Sequence, residues 1–320
     1  TNSRCCDAFQ FPSPLQSHYH PYHSGTTAKP ISSSFVTPSK SHPSSSRSRS
    51  STRRNSSNYN DDANNAGEEE YYVDINENAY RDIPNFEEWA YTMCGVQKVE
   101  GLELMVEEVT ETNDGTYRED NIAFMTAVDL PVNTPILYVP SDMILSSQTA
   151  YEEFNSSTNG GAVLEDVEKV LTSLNAESQL RHYYLMLKIV VEWEKGTRSP
   201  WYAWLNSLPR YFSNAASMTP FCYTCLPTLL AKLAMQERAN MNHLTGGGTK
   251  RHIPFVHVET KGYVELWNWA YQIVYTRAVE VESRTSTTTP TQDLQIIPGA
   301  DYFNHGTEDV SLRVMVGNAF

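Results

Sequence analysis

The chain has 320 residues, with 24 Lys and Arg against 38 Asp and Glu and a formal net charge of −14. Residues 1–60 hold seven of the basic residues and a single acid, Asp7, which leaves 17 bases against 37 acids in the remainder. A body this acidic lacks the clustered Lys and Arg that phosphate contact needs, which argues against nucleic acid and suits a basic protein surface as partner.

No apolar run approaches the ~20 residues needed to span a bilayer, so no membrane association is expected. The five cysteines, Cys5, Cys6, Cys94, Cys222 and Cys225, are odd in number and irregularly spaced. That argues against a disulfide framework and for a reducing compartment. The chain begins with Thr1 rather than Met, as a processed chain or a fragment would.

Along the chain, residues 1–66 are rich in Ser, Pro, Asn and His and show neither helical nor strand period. They offer too little apolar surface to offset the entropy of ordering, which predicts a disordered arm. Within it, Ser44 to Arg54 is dense in Ser and Arg. It reads as an organellar targeting segment, a phosphorylatable Ser/Arg tail or plain solvated chain.

Folded structure is expected from near Tyr71. Phe86, Trp89, Ala90 and Met93 recur at helical spacing, predicting a short amphipathic helix over 85–94 that closes at Gly95. Strands are predicted at Leu102–Val106, Ile122–Ala127 and Ile136–Val139, with a turn at Asn113-Asp114-Gly115. From Met143 the pattern turns helical, with helices near 179–195 (Leu185, Ile189 and Trp193 on one face), Leu226–Met241 and Tyr263–Val279. Strand signals return at Leu294–Ile297 and Val310–Val316. Strands, a long helical block, then strands again predict an α+β domain with a helical insertion.

Chemistry concentrates near the end of the last helix. Leu266, Ala270, Ile273 and Arg277 share one face, and the first three are apolar. Arg277 therefore sits at the end of a buried face and needs an anion. A structural pair with one of the many acids, or a side chain reaching out to water, satisfies the same pattern. Downstream runs Ile296-Ile297-Pro298-Gly299-Ala300-Asp301-Tyr302-Phe303-Asn304-His305, a cluster too polar for core and too aromatic for a plain surface turn.

This string resembles the Asn-His motif of SET-domain protein methyltransferases, in the subgroup typified by the Rubisco large-subunit methyltransferase. Trp269-Ala270 followed by Tyr275-Thr276-Arg277-Ala278 is similar to the Trp-Ala…Ser-Arg motif that closes the subgroup's helical insertion. Glu192 to Arg210 is similar to its Glu-x-x-x-Gly, Ser-x-Trp, Tyr…Leu-Pro stretch, a structural segment for which aromatic packing around a helix stop is the plain reading. Ile136-Leu137-Tyr138-Val139-Pro140 resembles the strand and Pro that end the first sheet, and Val132-Asn133 stands where a Gly-containing turn is usual. Glu100-Gly101-Leu102-Glu103-Leu104 resembles a Glu-Gly-Leu-Gly-Leu loop lying against the methyl donor, with Glu103 in place of the second Gly. Gly is favoured where backbone approaches a ligand. The resemblance covers roughly residues 85–320.

The resemblance implies a SET β-sheet fold interrupted by a large helical insertion, with S-adenosylmethionine as cofactor. It divides the chain into a Ser/Arg-rich arm (1–66), the N-terminal part of the SET domain (67–150), the helical insertion (151–285) and the C-terminal part (286–320). It assigns donor binding to Glu100, Leu102, Arg277, Asp301, Asn304 and His305, with Arg277 meeting the donor carboxylate as a bidentate fork. Tyr302 and Phe303 are candidates for a narrow aromatic tunnel around the substrate's alkyl stem, with core packing as the equal alternative.

The implied activity is methylation of Lys, or secondarily His, on a non-histone protein. A free Lys, with a pKa of ~10.4, is almost wholly protonated at neutral pH. A sulfonium ~4 Å away at an effective dielectric of ~20 opposes that charge by ~4 kcal/mol, about three pKa units. A protein substrate, a monomeric state and a chloroplast or cytoplasmic location follow as expectations. The family's catalytic Tyr and closing strand fall beyond Phe320, which predicts an incomplete chain without measurable methyl transfer. An alternative of another class is a non-catalytic interaction protein retaining the SET shell.

Other signals point elsewhere or nowhere. Cys222-x-x-Cys225 lacks a second pair, and His243 and His252 are poorly spaced to complete a zinc site, so no metal is expected. His18, His20 and His23 lie in the arm. Gly246-Gly247-Gly248-Thr249-Lys250 lacks phosphate-loop spacing and reads as a flexible loop between helices. No Gly-x-Ser-x-Gly elbow is present.

Overall fold

A computed structural model describes residues 71–111, 117–283, 291–304 and 314. The arm at 1–66, the turn at 113–115, His305 and all but one residue of the strand expected at 310–316 lie outside the described residues.

The first helix, α1 (Ile83–Glu87), starts where the Asp82 carboxylate accepts the Asn85 amide at 3.2 Å and Pro84 occupies the first turn. It runs on through a wider turn, Glu88–Met93, where the Cys94 amide reaches back five residues to the Trp89 carbonyl at 2.9 Å. Phe86, Trp89 and Ala90 are buried as their spacing predicts, but Met93 is 75% exposed. The extra residue in that turn rotates Met93 off the buried face, which a strict 3.6-residue period cannot anticipate.

Strand β1 (Gln97–Lys98) comes next, followed by the hairpin of β2 (Leu102–Glu111) and β3 (Tyr117–Thr126), paired from Leu102 opposite Thr126 to Glu111 opposite Tyr117 with an irregularity around Glu108. Strand β4 (Leu137–Tyr138) pairs antiparallel with β1. The chain then enters β5 (Leu145–Ser146) and a helical block: α2 (Ser147–Ser156), α3 (Gly160–Ser173), α4 (Leu180–Glu194), α5 (Tyr202–Ser207), α6 (Pro220–Cys225), α7 (Thr228–Leu244), α8 (Gly247–Lys250), α9 (Val258–Gly262) and α10 (Val264–Arg277). It leaves through β6 (Val279–Ser283) and β7 (Thr291–Ile296).

The sheet order β5-β7-β6 carries the topological point. Leu145, just before the helices, pairs with Ile296, just after them. The helices are thus an insertion between strand partners, and the architecture is α+β.

Helix α4 is buried nearly all round: Tyr183, Leu185, Met186, Leu187, Ile189 and Val190 have no exposed surface. It packs on α10, whose Leu266, Trp267, Ala270 and Ile273 are equally enclosed. Each such aliphatic residue contributes roughly 1.5–3 kcal/mol of burial, so this contact is the centre of the core.

Two polar devices hold the frame. The buried Asp293 carboxylate on β7 accepts both Ser146 Oγ and Ser147 Oγ at 2.7 Å and the Gln148 amide at 3.1 Å, fastening the start of α2 to the far end of the insertion. Buried Glu192 on α4 accepts from Lys195 at 2.6 Å, Lys188 at 2.8 Å and Ser199 Oγ at 2.8 Å. The Gly-rich run at 246–250 is not a flexible loop but the short helix α8. The Thr249 hydroxyl donates to the Leu244 and Gly246 carbonyls, at 2.6 and 2.9 Å, and the Thr249 carbonyl accepts the Tyr183 hydroxyl at 2.7 Å.

Candidate functional site

Three segments distant in sequence meet here: the end of α10, the turn at 299–304 and strand β3 of the hairpin, which reaches the turn through Phe124. The turn is shaped by Gly299, whose φ of +92° is closed to most L-residues. After it, Ala300–Tyr302 forms one 3₁₀ turn.

The Asp301 side chain is fully enclosed, and the Arg277 side chain is 12% exposed. Asp301 Oδ1 accepts the Gly299 amide at 2.8 Å. Its Oδ2 accepts Arg277 Nη1 at 3.0 Å and Trp204 Nε1 at 3.2 Å. Arg277 Nη1 also donates to the Asp301 carbonyl at 2.6 Å. The anion that Arg277 requires is therefore supplied, at least on one edge of the guanidinium, by Asp301. The other edge differs: Arg277 Nε is buried with no hydrogen-bond partner among the described residues. An orphaned buried donor of this kind is costly unless something accepts from it.

Tyr302 is 2% exposed and lies beneath Arg277, with the guanidinium 5.2 Å from its ring centre. Its hydroxyl donates to Ser207, whose carbonyl and Oγ are 3.0 and 2.7 Å away. Burial raises the pKa of this phenol, which keeps it a neutral donor. Tyr302 therefore takes the core position of its two readings. Phe303 is half-buried against Phe124, ring centres 4.9 Å apart.

Phe124 joins the turn to the hairpin, since it is paired with Leu104 on β2. At the hairpin's base Gly101 adopts φ +81°, and a Cβ there would lie 3.0 Å from a Val128 methyl. The Gly101 carbonyl accepts the Ala127 amide at 3.2 Å. Leu102 is buried beneath, while Glu100 and Glu103 are exposed. Glu103 sits in regular pairing opposite Met125 and has no positive φ, so its backbone does not call for glycine. Asn133 does take a left-handed conformation, φ +65°, at the turn where glycine is usual, and Asn is among the residues that tolerate it. Asn304 is exposed at the edge of the 299–304 turn, and His305 lies outside the described residues.

Sequence reasoning did not assign roles to Trp204, Ser207, Arg81 or Arg210, which hold the site from behind. Arg81 Nε donates to the Ser207 carbonyl at 2.8 Å. Arg210 donates to the carbonyls of Leu205, Asn206 and Leu208 at 2.7–3.2 Å, closing the end of α5. It lies 5.9 Å from the Trp269 ring, and Trp269 Nε1 donates to the Pro209 carbonyl at 2.8 Å. Burial, reinforced by the nearby Arg81 charge, lowers the Arg210 pKa to about 10. The Leu-Pro-Arg and Trp-Ala segments, read separately in the sequence, thus meet. The signal for their contact was the density of aromatics at Trp201–Trp204, which names no partner.

Among the described residues no group of three or more His, Cys, Asp or Glu is placed to hold a metal ion. No helix of the described residues is long and apolar enough to cross a membrane.

No protein-family model and no curated protein matches the chain. Among solved structures it is similar to the SET domain of LSMT bound to lysine and AdoHcy, at 16% identity and a TM-score of 0.49, over 72% of this chain and 45% of that one. It is also similar to Rubisco LSMT bound to AdoMet, at 17% identity and a TM-score of 0.47, over 72% and 46% of the two chains. A third is Rubisco LSMT bound to sinefungin and monomethyllysine, at 16% identity and a TM-score of 0.46, over 72% and 46%. The chain spans less than half the length of these structures.

Proposed function

We propose that Arg277, Asp301 and Asn304, together with the Glu100-Gly101-Leu102 loop, form the donor site of an S-adenosylmethionine-dependent protein-lysine methyltransferase of the SET type. Its substrate is a lysine on a non-histone protein. The observation that carries this reading is the buried, unpartnered Nε of Arg277, on a guanidinium already fixed by Asp301.

The geometry supports the following division of labour. Asp301 and the Tyr302 ring hold the guanidinium in one orientation, so the unpartnered Nε on its other edge needs no reordering to donate to an anionic oxygen. A carboxylate is the group such an edge fits. Gly101 takes a positive φ that glycine adopts readily, which sets the course of the backbone at the loop. Exposed Glu100 suits an ammonium group, and the exposed Asn304 amide suits the polar amino-acid end of the donor. The Phe124–Phe303 pair provides an apolar wall for an alkyl stem. When bound, S-adenosylmethionine supplies an already activated methyl on a sulfonium, so the protein's task is alignment of a neutral amine.

Glu103, which departs from the resembled loop, does not oppose this reading, because its side chain points to solvent from a regular strand. The reading is tested at Asn304, an exposed residue of the 299–304 turn. Asn304→Ala should weaken S-adenosylhomocysteine binding in calorimetry by about 0.5–1.5 kcal/mol, the worth of one hydrogen bond, with an unchanged melting temperature. Normal affinity with a lowered melting temperature would make the turn architectural and remove it from the donor site.

A further inference from the structure

The Cys222-x-x-Cys225 pair is left unused by the site above, and its setting is specific. Helix α6 (Pro220–Cys225) is anchored through the one residue Tyr223, which is buried and donates its hydroxyl to the Ala215 carbonyl at 2.9 Å. Both thiols are free, Cys222 part-exposed and Cys225 exposed.

Residues three apart on a helix have Cβ atoms roughly 5–6 Å apart, whereas a disulfide needs about 3.5–4.5 Å. The remaining ångström or two is available here. Cys225 is the last helical residue, and Leu226 after it is extended at φ −86°, ψ 149°. A small shift of Cys225 therefore breaks no further turn of helix.

The two thiols are not equivalent. Cys222 Sγ lies 3.2 Å from Thr219 Oγ1, which also accepts the Cys222 amide at 3.4 Å. These bonds from Thr219 hold the Cys222 thiol below its ordinary pKa. Cys94, the other free thiol among the described residues, is shifted upward by burial and lies shortly before β1 in sequence.

We infer that Cys222 and Cys225 form a reversible dithiol–disulfide site on the protein surface, oxidised by a low-molecular-weight disulfide such as glutathione disulfide. The Cys222 thiolate attacks one sulfur of the oxidant, whose S–S bond breaks as one glutathione leaves as its thiolate. The Cys225 thiolate then attacks Cys222 Sγ and displaces the second glutathione. The two protons lost by the cysteines end on the two glutathione thiols. One disulfide is reduced and the cysteine pair is oxidised by two electrons. A thiol of lowered pKa attacks first because the thiolate is the nucleophile, and the neighbouring thiol resolves the mixed disulfide.

The test uses the full 320-residue chain, treated with glutathione disulfide at neutral pH, alkylated and read by peptide mass spectrometry. The expected product is a peptide carrying Cys222 and Cys225, unalkylated and lighter by two hydrogens, which dithiothreitol restores, while Cys94 remains alkylated. Cys225→Ser should stop at the mixed disulfide and retain glutathione on Cys222, at about tenfold the level found on Cys225 in Cys222→Ser. Circular dichroism confirms that both variants are folded. The inference is overturned if both cysteines stay alkylated, if they pair with other cysteines instead, or if glutathione distributes equally over Cys222, Cys225 and Cys94.

Discussion

Asp301 is enclosed on every side, yet it is an acid on a turn, and it keeps its place by accepting from Gly299, Trp204 and Arg277 together. Removing one member of a buried ion pair leaves the other charge uncompensated, at a cost of about 3–5 kcal/mol. Asp301→Ala should lose stability of that size in denaturant unfolding; a loss below about 1 kcal/mol would mean that Arg277 finds another counter-charge. Glu192 is the corresponding residue on α4. Burial would raise its pKa, but the bonds from Lys188 and Lys195 and that from Ser199 outweigh burial and hold it below the ordinary carboxylate value. A depressed folded pKa contributes stability that is present above the unfolded value of ~4.3 and is lost as pH falls through the folded one. Glu192→Gln should therefore cost about 1–3 kcal/mol at neutral pH and flatten the fall in stability on acidification below pH ~4.3. An unchanged acid limb in the variant would assign that limb to other carboxylates. At this scale the sequence was half legible. The apolar face of α10 announced that Arg277 needs an anion. It did not announce Asp301, because the pair is 24 residues apart and is made by tertiary contact.

Elements were legible where local chemistry dictates them. Helices α4, α7 and α10 appear close to the ends that periodicity marks, whereas β2 and β3 each run five residues further toward their turn than the strands expected at Leu102–Val106 and Ile122–Ala127. Periodicity failed at Met93, where the helix takes a wider turn, and at 246–250, where glycines outweighed in sequence a helix that exists through the bonds of one buried threonine. The glycine pattern of the 100–104 loop has a similar lesson. Only Gly101 needs the conformations open to glycine, and position 103 is ordinary strand. Glu103→Gly should accordingly destabilise the chain by about 0.5–1 kcal/mol and leave affinity for S-adenosylhomocysteine within about twofold, measured by calorimetry. A gain of about tenfold or more, worth about 1.4 kcal/mol, would show that the Glu103 side chain obstructs the donor.

On the scale of the whole molecule, the sheet partners β5 and β7 are brought together from the two ends of the helical insertion, and Asp293 locks that closure across 147 residues to Ser146. The proposed site accordingly draws on residues from before, within and after the helices: Gly101 at the hairpin, Arg277 at the insertion's last helical residue, and Asp301 a few residues past the closing strand. The strand–helix–strand order was readable from pattern alone, whereas the closure was not, because Asp293 and Ser146 carry no signal of their meeting. The central claim is that the free edge of Arg277 receives the donor's carboxylate, and one calorimetric comparison tests it. S-Adenosylhomocysteine and 5′-methylthioadenosine share the nucleoside and the thioether, but only the first has the amino-acid carboxylate. Arg277→Lys should weaken S-adenosylhomocysteine by about 1.5–3 kcal/mol, the worth of a charge-assisted hydrogen bond, and leave methylthioadenosine unchanged. Equal weakening of both ligands, or no binding of either by the parent chain, would contradict the account.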